Sequence, residues 1–220
     1  MHKQLNRKPG RPKGTNTEQR EQLLDITVEH YARHGIGATS LRAIANAGGV
    51  TPAMISYYFG SKDQLLDAVI NERLIPAFDG LRQELLSAGD NTRTLVRTFV
   101  TAVHAMVRRH PWLPGLWIRE VVNEDGALRQ FLLSYVVKNL KLPSKLAQAF
   151  QNAREQGSVN PHVEPHLLPV SLIGLTMFPL ATTSLWQQHF GPETLNISQE
   201  RLQDHTIALL EHGLFPAADN

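Results

Sequence analysis

Hydrophobic residues along this chain recur every three to four positions, the period of a helix that buries one face. From Glu18 to His34, the apolar residues Leu24, Val28 and Tyr31 stand four and three apart, and Gly35 follows where a helix commonly ends; the pattern predicts a first helix over this stretch. Leu41, Ile44 and Ala45 predict a short second helix, capped by Thr39 or Ser40 and stopped at Gly48 and Gly49. A third helix is expected from Pro52. Thr51 offers its hydroxyl to an orphan amide, and proline suits the first helical position because it has no amide to satisfy. This helix runs to about Tyr58. Gly60 and Ser61 break it before a longer helix opens at Lys62, carrying Leu65, Leu66, Val69 and Ile70.

Beyond these, apolar stretches run from Leu95 to Val107, Leu128 to Val137, Leu146 to Ala153, Leu167 to Trp186 and Leu202 to Leu214, with proline and glycine between them. Runs of strict apolar and polar alternation joined by hairpin dipeptides are absent, so a sheet is not expected, and no internal repeat is visible. The expected fold is all-α: an N-terminal three-helix unit joined, through the helix near Lys62, to a larger domain of about six helices. Leu167 to Trp186 carries no charge over the length of a membrane span. Its prolines (Pro169, Pro179), Gly174 and its polar Thr176, Thr182, Thr183 and Ser184 suit a buried dimer-core helix equally. With no second span in the chain, the buried helix is the expectation and a membrane role is not.

Charge changes the picture at the N-terminus. Residues 1–65 hold nine Lys/Arg against five Asp/Glu, whereas residues 66–220 hold thirteen against fifteen. The first 17 residues contribute Lys3, Arg7, Lys8, Arg11 and Lys13 and no acid, which suits a polyanionic partner. Elsewhere the composition, 42% hydrophobic and 19% charged, is that of an ordered globular chain. The absence of cysteine excludes disulfides, thiolate metal sites and thiol nucleophiles, and fits a cytoplasmic protein. The basic start is not followed by an apolar run long enough for a secretory signal.

Two short helices separated by a glycine turn are what a helix-turn-helix requires, the second helix entering the major groove, where base edges are distinguishable. Leu41, Ile44, Ala45, Val50, Ile55 and Phe59 would hold the pair rigid, leaving Pro52, Ala53, Ser56 and Tyr57 outward. Ala38 to Leu66, read as ATSLRAIANAGGVTPAMISYYFGSKDQLL, resembles the DNA-binding signature of the tetracycline-repressor (TetR) family; with the first helix, the resemblance covers about residues 18–66. It implies phosphate contacts from Ser40, Thr51, Tyr57, Tyr58 and Lys62, a base or phosphate contact from Arg42, and a base-reading surface at or beside Pro52, Ala53, Met54 and Ser56. The chain departs from the family pattern at Ala53, where glycine is usual, and at Ser56, where tyrosine is usual. His30 stands where the pattern favours leucine and reads as a core histidine. Upstream, KPGRPKG from Lys8 to Gly14 resembles a minor-groove AT-hook core, although Pro9 replaces its usual arginine. Lys8, Arg11 and Lys13 would either read a narrow A·T groove or add non-specific attraction to phosphates.

The same resemblance implies a homodimer formed by the last two helical stretches, a roughly palindromic duplex operator, and a small effector buried in the C-terminal domain. The organisation expected is a basic arm over residues 1–17, a DNA-binding domain over 18–66, and an effector and dimerisation domain over 67–220. Candidate effector contacts are Phe99, Val103, His104, Met106, Trp112, Trp117, Phe131 and Tyr135, although aromatic and Met residues at helical spacing equally describe plain core. His104, Arg108 and Arg119 could orient a polar or anionic ligand. His162 and His166 stand four apart, but Pro161 and Pro165 make the segment irregular, and neither a metal nor any other cofactor is expected. Two alternatives stand beside a ligand-released repressor: a DNA-binding protein of this fold without an effector, and an enzyme. The enzyme has little support, because the chain carries no nucleophile elbow, phosphate-binding glycine loop or His-Glu-x-x-His pattern.

Overall fold

The computed structural model describes residues 16–139, 141–190 and 197–215, and the side chains of Asn139 and of residues 187–190 are left aside. The described residues form helices and turns only. Helix α1 (Asn16–His34) buries the stripe Leu23, Leu24, Thr27, Val28 and Tyr31. It ends where Gly35, at φ 86, donates its amide to Tyr31 O at 2.9 Å. His30 lies one position off that stripe and is half-exposed, its ring 5.3 Å from that of His34; this corrects the expectation of a core histidine.

Helices α2 (Leu41–Ala47) and α3 (Pro52–Phe59) have the expected caps. The Ser40 hydroxyl accepts from Ala43 N and the Thr51 hydroxyl from Met54 N, while Thr39 is buried and donates to Gly35 O at 2.7 Å. Gly60 (φ 75) turns the chain into α4 (Lys62–Val69), where Ser61 and Gln64 complete a reciprocal capping box. A π-helical turn, Ile70–Leu74, then carries α4 into α5 (Ile75–Ser87). The cause is Pro76: it has no amide for Glu72 O, and that carbonyl accepts from Arg73 Nη1 instead.

Helix α6 (Thr92–Arg109) is the axis of the larger part of the molecule and packs against α5, α10 and α11. Val96, Val100 and Val103 have no exposed surface, each such burial contributing about 1.5–3 kcal/mol relative to exposure. Two short helices follow, α7 (Leu113–Trp117) and α8 (Arg129–Leu132), each extended by a π-helical turn, Ile118–Val122 and Leu133–Asn139. Helix α7 was not expected from the apolar pattern. It is too short for a period to register, and its sequence signal is limited to Pro114 in the first turn.

Helices α9 (Leu142–Glu155), α10 (Leu168–Phe190) and α11 (Gln199–Leu214) complete the fold. By length and composition α10 could cross a membrane. In the fold, its Leu168, Leu172, Thr176 and Met177 are buried, and the Thr176 hydroxyl donates to Leu172 O within the helix. Its other side leaves Val170, Leu175, Phe178 and Leu185 exposed, with Leu209 of α11 exposed as well. One contiguous apolar core runs from Leu23 through α6 to Phe215, so the N-terminal unit is packed onto the rest rather than tethered to it.

Candidate nucleic-acid interface

The helix pair α2 and α3 is rigid for identifiable reasons. Ile44, Ala45, Ile55 and Phe59 are buried in the same apolar core as Leu23 and Leu24 of α1. A Cβ at Gly48 would meet Leu23 Cδ2 at 2.5 Å, so glycine lets the turn approach α1 without displacing the Leu23 side chain. Gly49 at φ 65 reverses the chain, and Val50 N closes the turn on Ala45 O at 2.9 Å. The face left over carries Pro52, Ala53, Ser56 and Tyr57, all exposed, with Tyr57 at 72%; Met54 beside them is half-buried. Ser40, Arg42 and Thr51 are exposed on the same pair of helices. No Asp or Glu occurs between Ile36 and Lys62, so the only full charges of this segment are Arg42 and Lys62.

Two of the expected phosphate ligands are engaged within the protein. The Tyr58 hydroxyl bonds to Asn16 Oδ1 and lies 2.9 Å from Gln19 Oε1, which fastens α3 to the start of α1. Lys62 Nζ donates to Gly37 O at 3.0 Å, bridging α4 to the turn before α2 while remaining only half-buried. Lys8, Arg11 and Lys13 lie outside the described residues.

An ion-pair network that spacing alone did not reveal secures α1 to the π-turn after α4. Arg20 forks onto Glu72 with two contacts of 2.6 Å and sits 5.0 Å over the Phe59 ring; Arg73 reaches Glu21 at 2.8 Å and Asp25 at 2.7 Å. The Arg20 hydrogen bonds hold the Glu72 carboxyl below its ordinary value. The pairs join residues about fifty positions apart, so periodicity cannot report them.

A second unexpected contact joins α7 to α1. A Cβ on Gly115 would lie 3.2 Å from Ala32 O, and Arg119 Nε donates to that same oxygen at 3.1 Å. Glu120 is buried, its Oε1 accepting from Ile36 N at 2.8 Å and its Oε2 from Ala127 N at 3.0 Å. A carboxylate holding two backbone amides from distant segments is a charge-assisted clasp. Arg119 is thus placed against α1.

The eight candidate effector contacts are dispersed. Phe99, Val103, His104 and Met106 are buried along α6, and neither nitrogen of His104 has a hydrogen-bond partner among the described residues. Burial, with Arg108 adding to it, pushes the His104 imidazole down to about 4. Trp117 and Phe131 border a minute void with Leu74 and Phe78, Trp112 is half-buried beside α1, and Tyr135 stacks on Phe131 while donating to Asp79 Oδ1 at 2.9 Å. None of the eight lines the apolar cleft of about 860 Å³ that opens between the end of α6, α7, α10 and the start of α11. His162 and His166 are exposed, and no group of three or more potential metal ligands occurs among the described residues.

Residues 23–69 match the family described as "Bacterial regulatory proteins, tetR family". The HTH-type transcriptional repressor KstR2 of Rhodococcus jostii is 31% identical over 91 residues, 41% of this chain and 45% of that protein. The HTH-type transcriptional regulator BetI of Burkholderia ambifaria is 29% identical over 89 residues, 40% of this chain and 46% of its own length. The chain therefore spans about half the length of the curated relatives it matches. In fold it is similar to the solved ketosteroid transcriptional regulator KstR2 of Mycobacterium tuberculosis, with a TM-score of 0.70 at 17% identity over 94% of this chain and 98% of the other. It is also similar to AibR solved with isovaleryl coenzyme A and operator DNA, with a TM-score of 0.61 at 20% identity over 87% and 97% of the two chains.

Proposed function

We propose that this chain, which belongs to the tetR family of bacterial regulatory proteins, is a homodimeric repressor that a small-molecule effector releases from a roughly palindromic operator. The observation that carries the reading is the exposed, acid-free face of α3, held by the Gly48 turn against α1. A short rigid helix with such a face fits a major groove, and full charges of one sign beside it suit phosphates. Tyr57, Ser40, Thr51 and Lys62 position the duplex, Tyr58 stands beside Tyr57 and braces α3 against the start of α1, and Arg42, Pro52, Ala53, Met54 and Ser56 meet or flank the bases. Lys8, Arg11 and Lys13 of the arm over residues 1–17 add attraction to the duplex.

Residues 18–66 act as the DNA-binding unit and residues 67–220 as the effector and dimerisation unit. Support for the dimer comes from the exposed apolar side chains Val170, Phe178 and Leu185 of α10 and Leu209 of α11, which a second copy would remove from water. Two copies present two α3 helices to successive groove faces, which requires a two-fold operator. AibR, solved in complex with isovaleryl coenzyme A and operator DNA, supports a small-molecule effector for a regulator of this fold. The protein acts in the cytoplasm, where it meets chromosomal DNA, and we assign it no catalysis.

The test is binding of the purified chain to tiled fragments of its source genome by mobility shift, with the molar mass followed by light scattering. A dimer that retards a few fragments carrying inverted repeats is expected. A monomer, or equal affinity for every fragment at moderate salt, overturns the reading.

A further inference from the structure

The apolar cleft beside α7 has an electrostatic character that narrows what can occupy it. Its walls are mainly hydrocarbon, with Val107, Pro114, Leu180, Trp186 and Leu202 among them, and its volume of about 860 Å³ lies within the range of small-molecule sites. Among the described lining residues Arg108 alone carries a full charge. The hydrogen bond of Arg108 runs to a neutral acceptor, Gln203 Oε1, at 3.4 Å. Glu200 on α11 makes no ion pair with Arg108: its carboxyl is held below the ordinary value first by its own backbone amide and the Ser198 hydroxyl, with the charge of Arg108 a weaker contribution. One turn before Arg108 on α6, the buried His104 has two ring nitrogens without partners among the described residues.

A cation at the rim of a hydrocarbon wall, with no acid among the described lining residues and no ion-pair partner among the described residues, favours a ligand that is apolar in its body and negative at one end. We infer that this cleft is the effector site and takes an amphipathic anion, its carboxylate or equivalent group paired with Arg108. The inference rests on the ligand-released reading above and names the class of ligand. It also gives a route to DNA. Pro114 and Gly115 belong to the cleft wall; Gly115 packs against Ala32 O of α1, and the π-helical turn that continues α7 bonds to Ala32 O through Arg119 and to Ile36 N through Glu120. An occupant that shifts α7 shifts α1, and α1 is the platform on which α2 and α3 are packed.

The experiment is isothermal titration of the full chain with decanoate and phenylbutyrate, their neutral alcohols decanol and phenylbutanol, and decylammonium. At least one carboxylate should bind about fivefold or more tighter than its alcohol, more weakly at high salt, and decylammonium should bind least. Arg108→Gln, an exposed substitution, should abolish the preference and leave the affinity for the alcohol within about twofold; Ala181→Trp should fill the cleft and abolish binding of both. The inference is overturned by failure of both carboxylates to bind, which is also the result if a second copy of the chain fills the cleft. It is overturned equally by a preference that survives Arg108→Gln, or by binding that survives Ala181→Trp. Charge-selective binding without operator release would leave the site standing and remove the ligand-released reading. Release by a compound indifferent to both substitutions would do the reverse.

Discussion

Acidification should destabilise this protein, and the buried His104 is one side chain whose contribution can be isolated. His104 has no exposed surface, no hydrogen-bond partner for either ring nitrogen among the described residues, and an imidazole pushed from 6.5 to about 4, chiefly by burial and then by Arg108, with Glu200 opposing weakly. Between pH 6.5 and 4 the unfolded chain binds a proton at this position and the folded chain does not. The unfolded state therefore gains as pH falls, and stability is full above pH 6.5 and is lost progressively toward pH 4. Integrating between the two values, a drop from pH 7 to pH 5 costs about 2 kcal/mol per chain. His104→Leu removes the titration and leaves every other group in place. Urea unfolding of both proteins, followed by circular dichroism at one fixed chain concentration, isolates the contribution as the difference between their stabilities at each pH. That difference should move by about 2 kcal/mol in favour of His104→Leu between pH 7 and pH 5. Parallel pH profiles would refute the argument that the imidazole is buried neutral.

Other consequences follow from the site. Tyr57→Ala and Lys62→Ala should weaken binding to specific and non-specific duplexes alike, each by about three- to tenfold, whereas Arg42→Ala should also relax preference at one operator position; competition assays against randomised sites separate the two effects. Glu120→Gln keeps an oxygen for one of its two amides and sets a donor against the other, so urea unfolding should show a loss of about 1–3 kcal/mol. Gly60→Ala strains a backbone at φ 75 and drives a Cβ into the Gln64 side chain that closes the capping box; it should cost at least about 1 kcal/mol and lower operator affinity by loosening the α3–α4 corner.

Much of the N-terminal unit is legible in the chain because its determinants are local. Ser40, Thr51 and Ser61 cap amides within three positions, Pro52 needs no amide partner at its own position, and Gly35, Gly49 and Gly60 act on their own dihedral angles. The outward set Pro52, Ala53, Ser56 and Tyr57 follows from period alone, since the alternate positions Ile55 and Phe59 must be buried. Tyr58 and Lys62 show the limit of that reasoning. Both belong to the DNA-contacting pattern by resemblance, but the tertiary structure also gives the first to the start of α1 and the second to Gly37 O.

The amino-acid order by itself determined the helical class, the helix-turn-helix with its caps, and the basic N-terminal asymmetry, because each depends on neighbours within a turn or two. The location of the apolar cleft, the contact of α7 with α1 and the place of Arg108 at the cleft's rim were decided only by the assembled fold. Those features join residues from α1, α6, α7, α10 and α11, and which aromatic side chain lines a space rather than fills one depends on how far apart packed helices stand, a distance no period in a sequence encodes.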